Sequence, residues 1–334
     1  MTHKHAKHEH KPHKSQHSEK VSSHTSARSV AFLPVGNIKV ASSRLICYEN
    51  ARYLKKLGWR ADTVHKGSWD NYDILVFQRR YGSRDLTRAK RAKSKIVLQI
   101  SETRFSLGDH GRGGSAIAFA RQADGVVVGT RLTHDWFIRQ GIDSTVIPTG
   151  LDFASLPKDV PKQLPLKICW IGSQQNERYL DHIIQPINEL WKKYDFEFRI
   201  IGAASRGGFA KPVNFIRWSM GEAERRVAEC HIGVAPLTSA SKEFTKPPSK
   251  PVLYMALKLA VVATETPPYK DLIKNGENGY LIPGNNPVDW YNALEVLLTS
   301  PAKRESIAAQ GYEACQPYNA PQIARRWDRF LRRL

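Results

Sequence analysis

Residues 246–269 read KPPSKPVLYMALKLAVVATETPPY. The stretch combines a proline-rich entry, an apolar helical run and a β-branched strand. Ser249 is placed to cap the helix and Lys250 lies in its first turn. Pro251 is tolerated there because first-turn amides have no helical acceptor. A helix N-terminus flanked by Lys246 and Lys250 predicts an anion site. The next strand ends in Thr-Pro-Pro-Tyr, which puts Tyr269 at the same edge. A helix feeding a buried strand is half of a βαβ unit, and this decides the fold class: α/β with parallel sheets.

The same alternation extends in both directions. Upstream, VAFLPV, ADTVHK, DILVFQ, KIVLQI and GVVVG read as strands, and SSRLICYENARYLKKLGW has helical spacing that Gly58 stops. Ser42 or Ser43 is the expected cap of that first helix. SLPKDVPKQLP is a proline-rich linker, after which LKICWIG restarts the series. Helices over 286–299, 301–314 and 319–333 close it. The expected organisation is a His- and Lys-rich disordered tail over 1–29 and a Rossmann-like doubly wound domain over 30–150. A linker over 151–165, a second such domain over 166–317 and a final helix over 318–334 complete it. Two doubly wound sheets that face each other leave a cleft, and ligands bind there at the carboxyl ends of the strands.

Composition narrows the partners. Lys plus Arg is 51 against 31 Asp plus Glu, a net charge of +20. The tail holds seven of the twelve histidines but little of that excess. Such a charge favours anionic partners: phosphorylated substrates, an anionic membrane surface or nucleic acid. In RRYGSRDLTRAKRAKSK, Arg84, Arg88, Arg91 and Lys95 share the spacing of one helix face; such a face is either solvated or, because stacked like charges cost stability, turned toward an anionic lipid headgroup or phosphate backbone, the reading favoured here. The four cysteines show no metal or disulfide spacing. No apolar run has membrane-spanning length and the N-terminus has no secretory pattern, so a cytoplasmic protein is expected, peripheral to a membrane at most.

Neither GxGxxG nor a Walker A sequence comes after any strand, which argues against a dinucleotide oxidoreductase or a P-loop enzyme. WIGSQQNERYL instead sets Gly172 and Ser173 directly after a strand, with Arg178 one turn on, as a phosphate cradle. On the other side of the cleft, Glu102 comes after KIVLQI and could orient a hydroxyl or act as base. His110 lies in the glycine-rich loop nearby and is a second candidate.

From Val30 onward the chain resembles the GT-B glycosyltransferases, particularly glycosyltransferase family 4 (group 1). HIGVAPL, KPPSKPVLYMALKLAVVAT, PPYKDLIKNGENGYLI and VDWYNALEVLLTSPAKRESIAAQG are similar, in order, to the family's donor-side segments. Leu253 stands where the family carries glutamate, and Lys258 where it carries glycine. The resemblance implies transfer of a sugar, with retention of configuration, from a nucleotide-diphosphate sugar to a surface-glycan or lipid-linked acceptor. The nucleotide sugar is a substrate, and no cofactor or metal is implied. Gly36, Arg44, Gly172, Ser173, Arg178, Lys246, Ser249, Lys250 and Tyr269 would then surround the donor. Two alternatives use the same fold: a DNA-modifying glycosyltransferase acting on hydroxymethylated bases, and an inactive glycosyltransferase-like binding protein.

Overall fold

The computed structural model describes residues 1–2, 28–65, 69–101, 110–203, 206–238 and 243–334. Nearly all of the expected tail, and Glu102, lie outside the described residues.

The first half contains β1 (Ser29–Leu33), α1 (Ala41–Ser43), a π-helical turn (Arg44–Tyr48), α2 (Glu49–Lys56), β2 (Arg60–Thr63) and β3 (Ile74–Gln78). It continues with α3 (Ser83–Arg91), β4 (Lys95–Ile100), α4 (His110–Ala120), β5 (Gly125–Val128), α5 (Arg131–Arg139) and β6 (Thr145–Val146). The second half contains β7 (Leu166–Ile171), a 3₁₀ turn (Gln174–Leu180), α6 (Asp181–Leu190), β8 (Phe196–Ile201), β9 (Asn214–Ile216), α7 (Glu222–Ala228) and β10 (Ile232–Ala235). Then come α8 (Ser249–Ala256), β11 (Ala260–Thr264), α9 (Pro267–Lys270), β12 (Tyr280–Ile282), α10 (Pro287–Thr299), α11 (Pro301–Cys315) and α12 (Ala320–Leu331).

The strands form two six-stranded parallel sheets, ordered β2-β1-β3-β4-β5-β6 and β12-β11-β10-β7-β8-β9. Their apolar runs are buried on both faces: β1, β3 and β11 are buried at every residue. Strand order reverses between β1 and β3 in the first sheet and between β7 and β10 in the second. Those reversals open the two crevices where ligands of such sheets bind. Both are therefore the places to build a site.

The halves are tied together away from these crevices. Helix α12 leaves the second half and packs on the first, where Ile323, Trp327, Phe330 and Leu331 join a core with Phe32, Leu54 and Trp59. The Trp59 indole donates to Asp328 at 2.7 Å, and Trp327 meets Phe32 edge-on at 5.5 Å. Asp152, just past the first sheet, is 3% exposed and accepts from Tyr53 of α2 at 2.7 Å.

Local readings fail at three caps or loops. Ser29 is a strand residue, not tail, and its N–H and hydroxyl both donate to Asp73 at 2.7 Å. Neither Ser42 nor Ser43 caps the first helix, which Val40 precedes. Ser43 turns back instead, accepting from Gly36 N–H and donating to Gln78, both at 3.1 Å. The glycine-rich stretch expected as loop is helical from His110 on. His110 opens α4, and its side chain is outside the described residues.

Candidate active site

At the β7–β10 crevice the two strands register only at Ile232–Ile168 and Gly233–Cys169, then diverge. Tyr254 of α8 spans the gap. Its hydroxyl accepts from Ile171 N–H at 3.0 Å and donates to the Val234 carbonyl at 3.2 Å. Its ring lies where a side chain on Gly233 would sit: an added Cβ would come 2.3 Å from it. This bond pair replaces ladder bonds that divergence removes, and it fixes α8 over the crevice. Sequence reasoning missed Tyr254, though its place in the middle of the buried helix run was the available signal.

The N-terminus of α8 carries its charge on side chains. Pro248 precedes the helix and Ser249 is its first residue, with no side-chain cap bond, so the expected Ser249 cap does not form. Ser249 N–H is bound by the Pro247 carbonyl at 2.8 Å, and Pro251 has none. A row of free amides is therefore absent, and positive charge comes from Lys246 and Lys250. Lys246 Nζ donates to the Tyr179 hydroxyl at 2.7 Å and lies 4.7 Å from that ring's centre. Lys250 Nζ sits over the Trp170 ring at 4.8 Å and 5.9 Å from the centre of Tyr179. Among the described residues the bonded partners of Lys246 are the Asn176 amide oxygen and the Tyr179 hydroxyl, and neither lysine pairs with a carboxylate. Enclosure, then the nearby Lys246 charge, push the Lys250 ammonium down to about 7. An anion bound between the two lysines would offset their mutual repulsion.

The strand-end glycine works by shape rather than by its amide. Gly172 N–H is taken by the Ile201 carbonyl at 2.9 Å, so it is not free for a phosphate. An added Cβ would meet the Trp170 ring at 2.4 Å, so glycine is required for the indole to lie under the loop. Ser173 precedes the 3₁₀ turn and accepts from Asn176 at 3.0 Å. Arg178 lies within that turn, its guanidinium 5.3 Å from the Tyr179 ring. Tyr269 does not reach the edge: it is 2% exposed, inside the core of the second half. Burial, then the neighbouring Tyr179, raise its hydroxyl pKa. The Thr-Pro-Pro sequence starts a helix at Pro267 and turns the ring inward.

Arg44 is the residue that crosses. It lies in the π-helical turn of the first half, yet its guanidinium stands 5.8 Å from the ring of Trp218 in the second. Trp218 in turn borders Gly202, and Gly202 backs onto the Gly172 carbonyl. The Arg44–Trp218 pair and the Trp170, Lys250, Tyr179 and Lys246 group are thus linked through the close approach of Gly202 to Gly172. Gly36 lies behind Arg44, and an added Cβ there would meet the Val40 side chain at 2.6 Å.

The β1–β3 crevice holds a cavity of about 680 Å³ lined by Val35, Val40, Arg79, Arg80, Tyr81 and Asp85, among others. Arg79 comes directly after β3 with a left-handed backbone, φ +50°, and donates to Ser42 at 3.3 Å. Arg80 forms a two-point pair with Asp85 at 2.8 and 3.0 Å. The expected four-residue basic face is shorter than the spacing implied. Helix α3 ends at Arg91, and Lys95 opens β4, paired with Asp124 at 2.9 Å. A second cavity, about 690 Å³, lies between the halves, with Thr130, Arg131 and His134 facing Pro248, Asp271 and Tyr318.

Comparison with known proteins agrees with this geometry. Residues 165–300 match the family described as Glycosyl transferases group 1. The chain superimposes on HepE from Anabaena, solved with UDP and glucose, with a TM-score of 0.72 at 15% identity, covering 92% of this chain and 100% of that one. It superimposes equally on a glycosyltransferase from Rickettsia africae (TM-score 0.72, 13% identity, 92% and 98% covered). Sucrose-phosphate synthase from Thermosynechococcus elongatus is similar too (TM-score 0.69, 13% identity, 92% and 98% covered). No curated protein sequence matches the chain. The second half thus carries the match to glycosyl transferases group 1, and the chain as a whole shares the two-sheet fold of these glycosyltransferase structures. Among the described residues no helix is long and apolar enough to cross a membrane.

Proposed function

We propose that the protein transfers a sugar from a nucleotide-diphosphate donor held at the β7–β10 crevice to a hydroxyl of a surface-glycan or lipid-linked acceptor held by the first half. The observation that carries this reading is the pair of lysines at the start of α8. Lys246 and Lys250 share the faces of Tyr179 and Trp170 and have no carboxylate partner among the described residues. A diphosphate gains negative charge as the glycosidic bond to it breaks. Fixed cations beside it stabilise that charge more in the transition state than in the ground state. Arg44, arriving from the other half, adds a third cation on the Trp218 side. The bound diphosphates of structural relatives, such as UDP in HepE, support a donor of this class. The family resemblance supports retention of configuration.

Lys250 holds the key position because its charge is coupled to the ligand. The group is pushed down to about 7 when the site is empty. An arriving diphosphate reverses that shift, so the ammonium is fully charged when the leaving group forms. Arg79, beside Ser42 in the first-half cavity, orients the acceptor. Incubation with a panel of nucleotide sugars is the direct test. Transfer or slow donor hydrolysis that Lys250→Ala lowers by about 10²–10³-fold establishes the assignment, whereas unchanged kinetics in that variant refutes it.

A further inference from the structure

The first half carries an apolar surface that the donor site does not use. Val35, Ile38 and Val40 are 42%, 44% and 42% exposed, three large apolar side chains within six residues. They are held outward by a bonded turn: Lys39 N–H donates to Asn37 Oδ1 and Val40 N–H to the Asn37 carbonyl, both at 3.0 Å. Arg44 adds a bond to the Ile38 carbonyl at 3.3 Å. The loop therefore has a defined shape, and its apolar side chains meet water because of that shape.

Helix α3 stands beside this loop. Val35 and Val40 line the same cavity as Tyr81, Gly82 and Asp85 at the start of the helix. Its inner face buries Leu86 and Ala89. Its outer face exposes Arg84, Arg88, Lys90 and Arg91, and its one acid, Asp85, is neutralised by Arg80. An apolar knuckle and a basic helix thus flank one cavity mouth.

We propose that the Val35–Val40 loop and the outer face of α3 dock on a bilayer of anionic lipids, with the loop entering the headgroup region and the cavity opening onto the membrane. This rests on the transferase reading above, since it places an acceptor anchored in lipid at the acceptor cavity. The two features are complementary to such a surface in different ways. Cations near an anionic leaflet are attracted over a Debye length, and apolar side chains gain only on entering the interface. A phosphate backbone would satisfy the arginines but leave Val35, Ile38 and Val40 in water, which favours lipid over nucleic acid.

The test is co-sedimentation of the full chain with vesicles of phosphatidylcholine alone or mixed with phosphatidylglycerol. Binding to the mixed vesicles only, weakening with salt, is the expected result. Arg84→Glu with Arg91→Glu lowers partitioning by roughly thirtyfold or more, about fivefold for each charge removed. Ile38→Ser lowers it by at least about fivefold through lost insertion. Neither change alters a donor-wall side chain, and the Ile38 carbonyl that Arg44 bonds survives the substitution, so both variants keep nucleotide binding, which also shows that they are folded. Vesicle binding that neither variant weakens would assign it to another segment and overturn the proposal. Absence of vesicle binding, with duplex DNA bound in a way that the arginine variant weakens and Ile38→Ser does not, would overturn it in favour of nucleic acid. A chain that binds vesicles but turns over no nucleotide sugar loses the transferase reading while the docking surface stands.

Discussion

The two crevices obey one topological rule and are built from different chemistry. At β7–β10 the opening is closed by packing: Tyr254 bridges the strands, Gly172 admits the Trp170 ring, and two lysines lie on aromatic faces. At β1–β3 the opening is left as a cavity, rimmed by exposed valines and entered by arginines, one of them in a left-handed backbone. A rigid, preorganised wall suits a leaving group that is the same for every turnover. An open, amphipathic mouth suits the partner that differs between transferases of this fold. The sheet supplies the location in both cases, and the strand-end loops supply the chemistry.

The strongest way to break this contrast is to remove one cation from each side. Lys250→Ala lowers the transfer rate by about 10²–10³-fold, the range for losing one group that stabilises transition-state charge. Arg79→Ala leaves donor hydrolysis intact and raises KM for the acceptor. Steady-state kinetics with donor and acceptor varied separately checks both. If Arg79→Ala affects donor KM as much as Lys250→Ala does, the division of labour between the crevices is wrong.

The titration of Lys250 sharpens the same point. Its folded value is depressed to about 7, below that of an unfolded lysine. Between those two values the unfolded chain binds more protons, so this group makes stability rise with pH from about 7 upward. Diphosphate affinity moves the other way: it weakens as pH rises above about 7, by up to roughly tenfold per unit, because binding must then include a proton. Calorimetry in buffers of different ionisation enthalpy detects that proton uptake, and Lys250→Met removes it. No comparable uptake is expected for ligands of the first cavity, whose cations are arginines.

Much of this is legible in the sequence. Strand–helix alternation and proline punctuation reveal two sheets, because parallel strands buried on both faces must be apolar runs. The lysines of KPPSK stand out because they flank a helix start. Relations between segments distant in the chain are the part that escapes. Nothing local to Gly172 shows that Ile201 takes its amide, or that Trp170 needs the space of its missing Cβ. Nothing near Arg44 announces Trp218. Sequence reasoning misplaces Tyr269 because a strand end fixes where a residue starts, not where its ring turns. The signal available for Arg79 is its position immediately after β3, where the strand order reverses.

Two glycines, each first in its half, offer a smaller contrast. Gly172→Ala drives a Cβ to 2.4 Å from a fully buried indole that has nowhere to go. It is expected to destabilise by about 1–3 kcal/mol, as overpacking does. Gly36→Ala meets Val40 at 2.6 Å, but that side chain is 42% exposed and can turn into solvent, so the effect stays under about 1 kcal/mol. Urea unfolding of both variants measures the difference. Equal losses would mean that the first crevice is as tightly packed as the second.

The smallest effect expected is a gain. Lys258 comes just after α8 with φ +55°, the left-handed geometry that glycine most often supplies past a helix C-terminus. A side chain there is strained by about 1 kcal/mol relative to glycine. Its ammonium returns part of this by lying 5.1 Å from the Tyr312 ring, an exposed contact of about 0.5 kcal/mol. Its carbonyl, which accepts from Lys162, is unaffected by substitution. Lys258→Gly should therefore raise stability by roughly 0.5 kcal/mol with turnover unchanged, read as a small rise in Tm. Arg79 has nearly the same backbone strain, φ +50°, in the other half. There Arg79→Gly relieves the strain but removes the guanidinium bonded to Ser42, so acceptor use falls. Strain at Lys258 is incidental to helix termination, whereas at Arg79 it positions a charge. A loss of turnover in Lys258→Gly, or none in Arg79→Gly, would reverse that distinction.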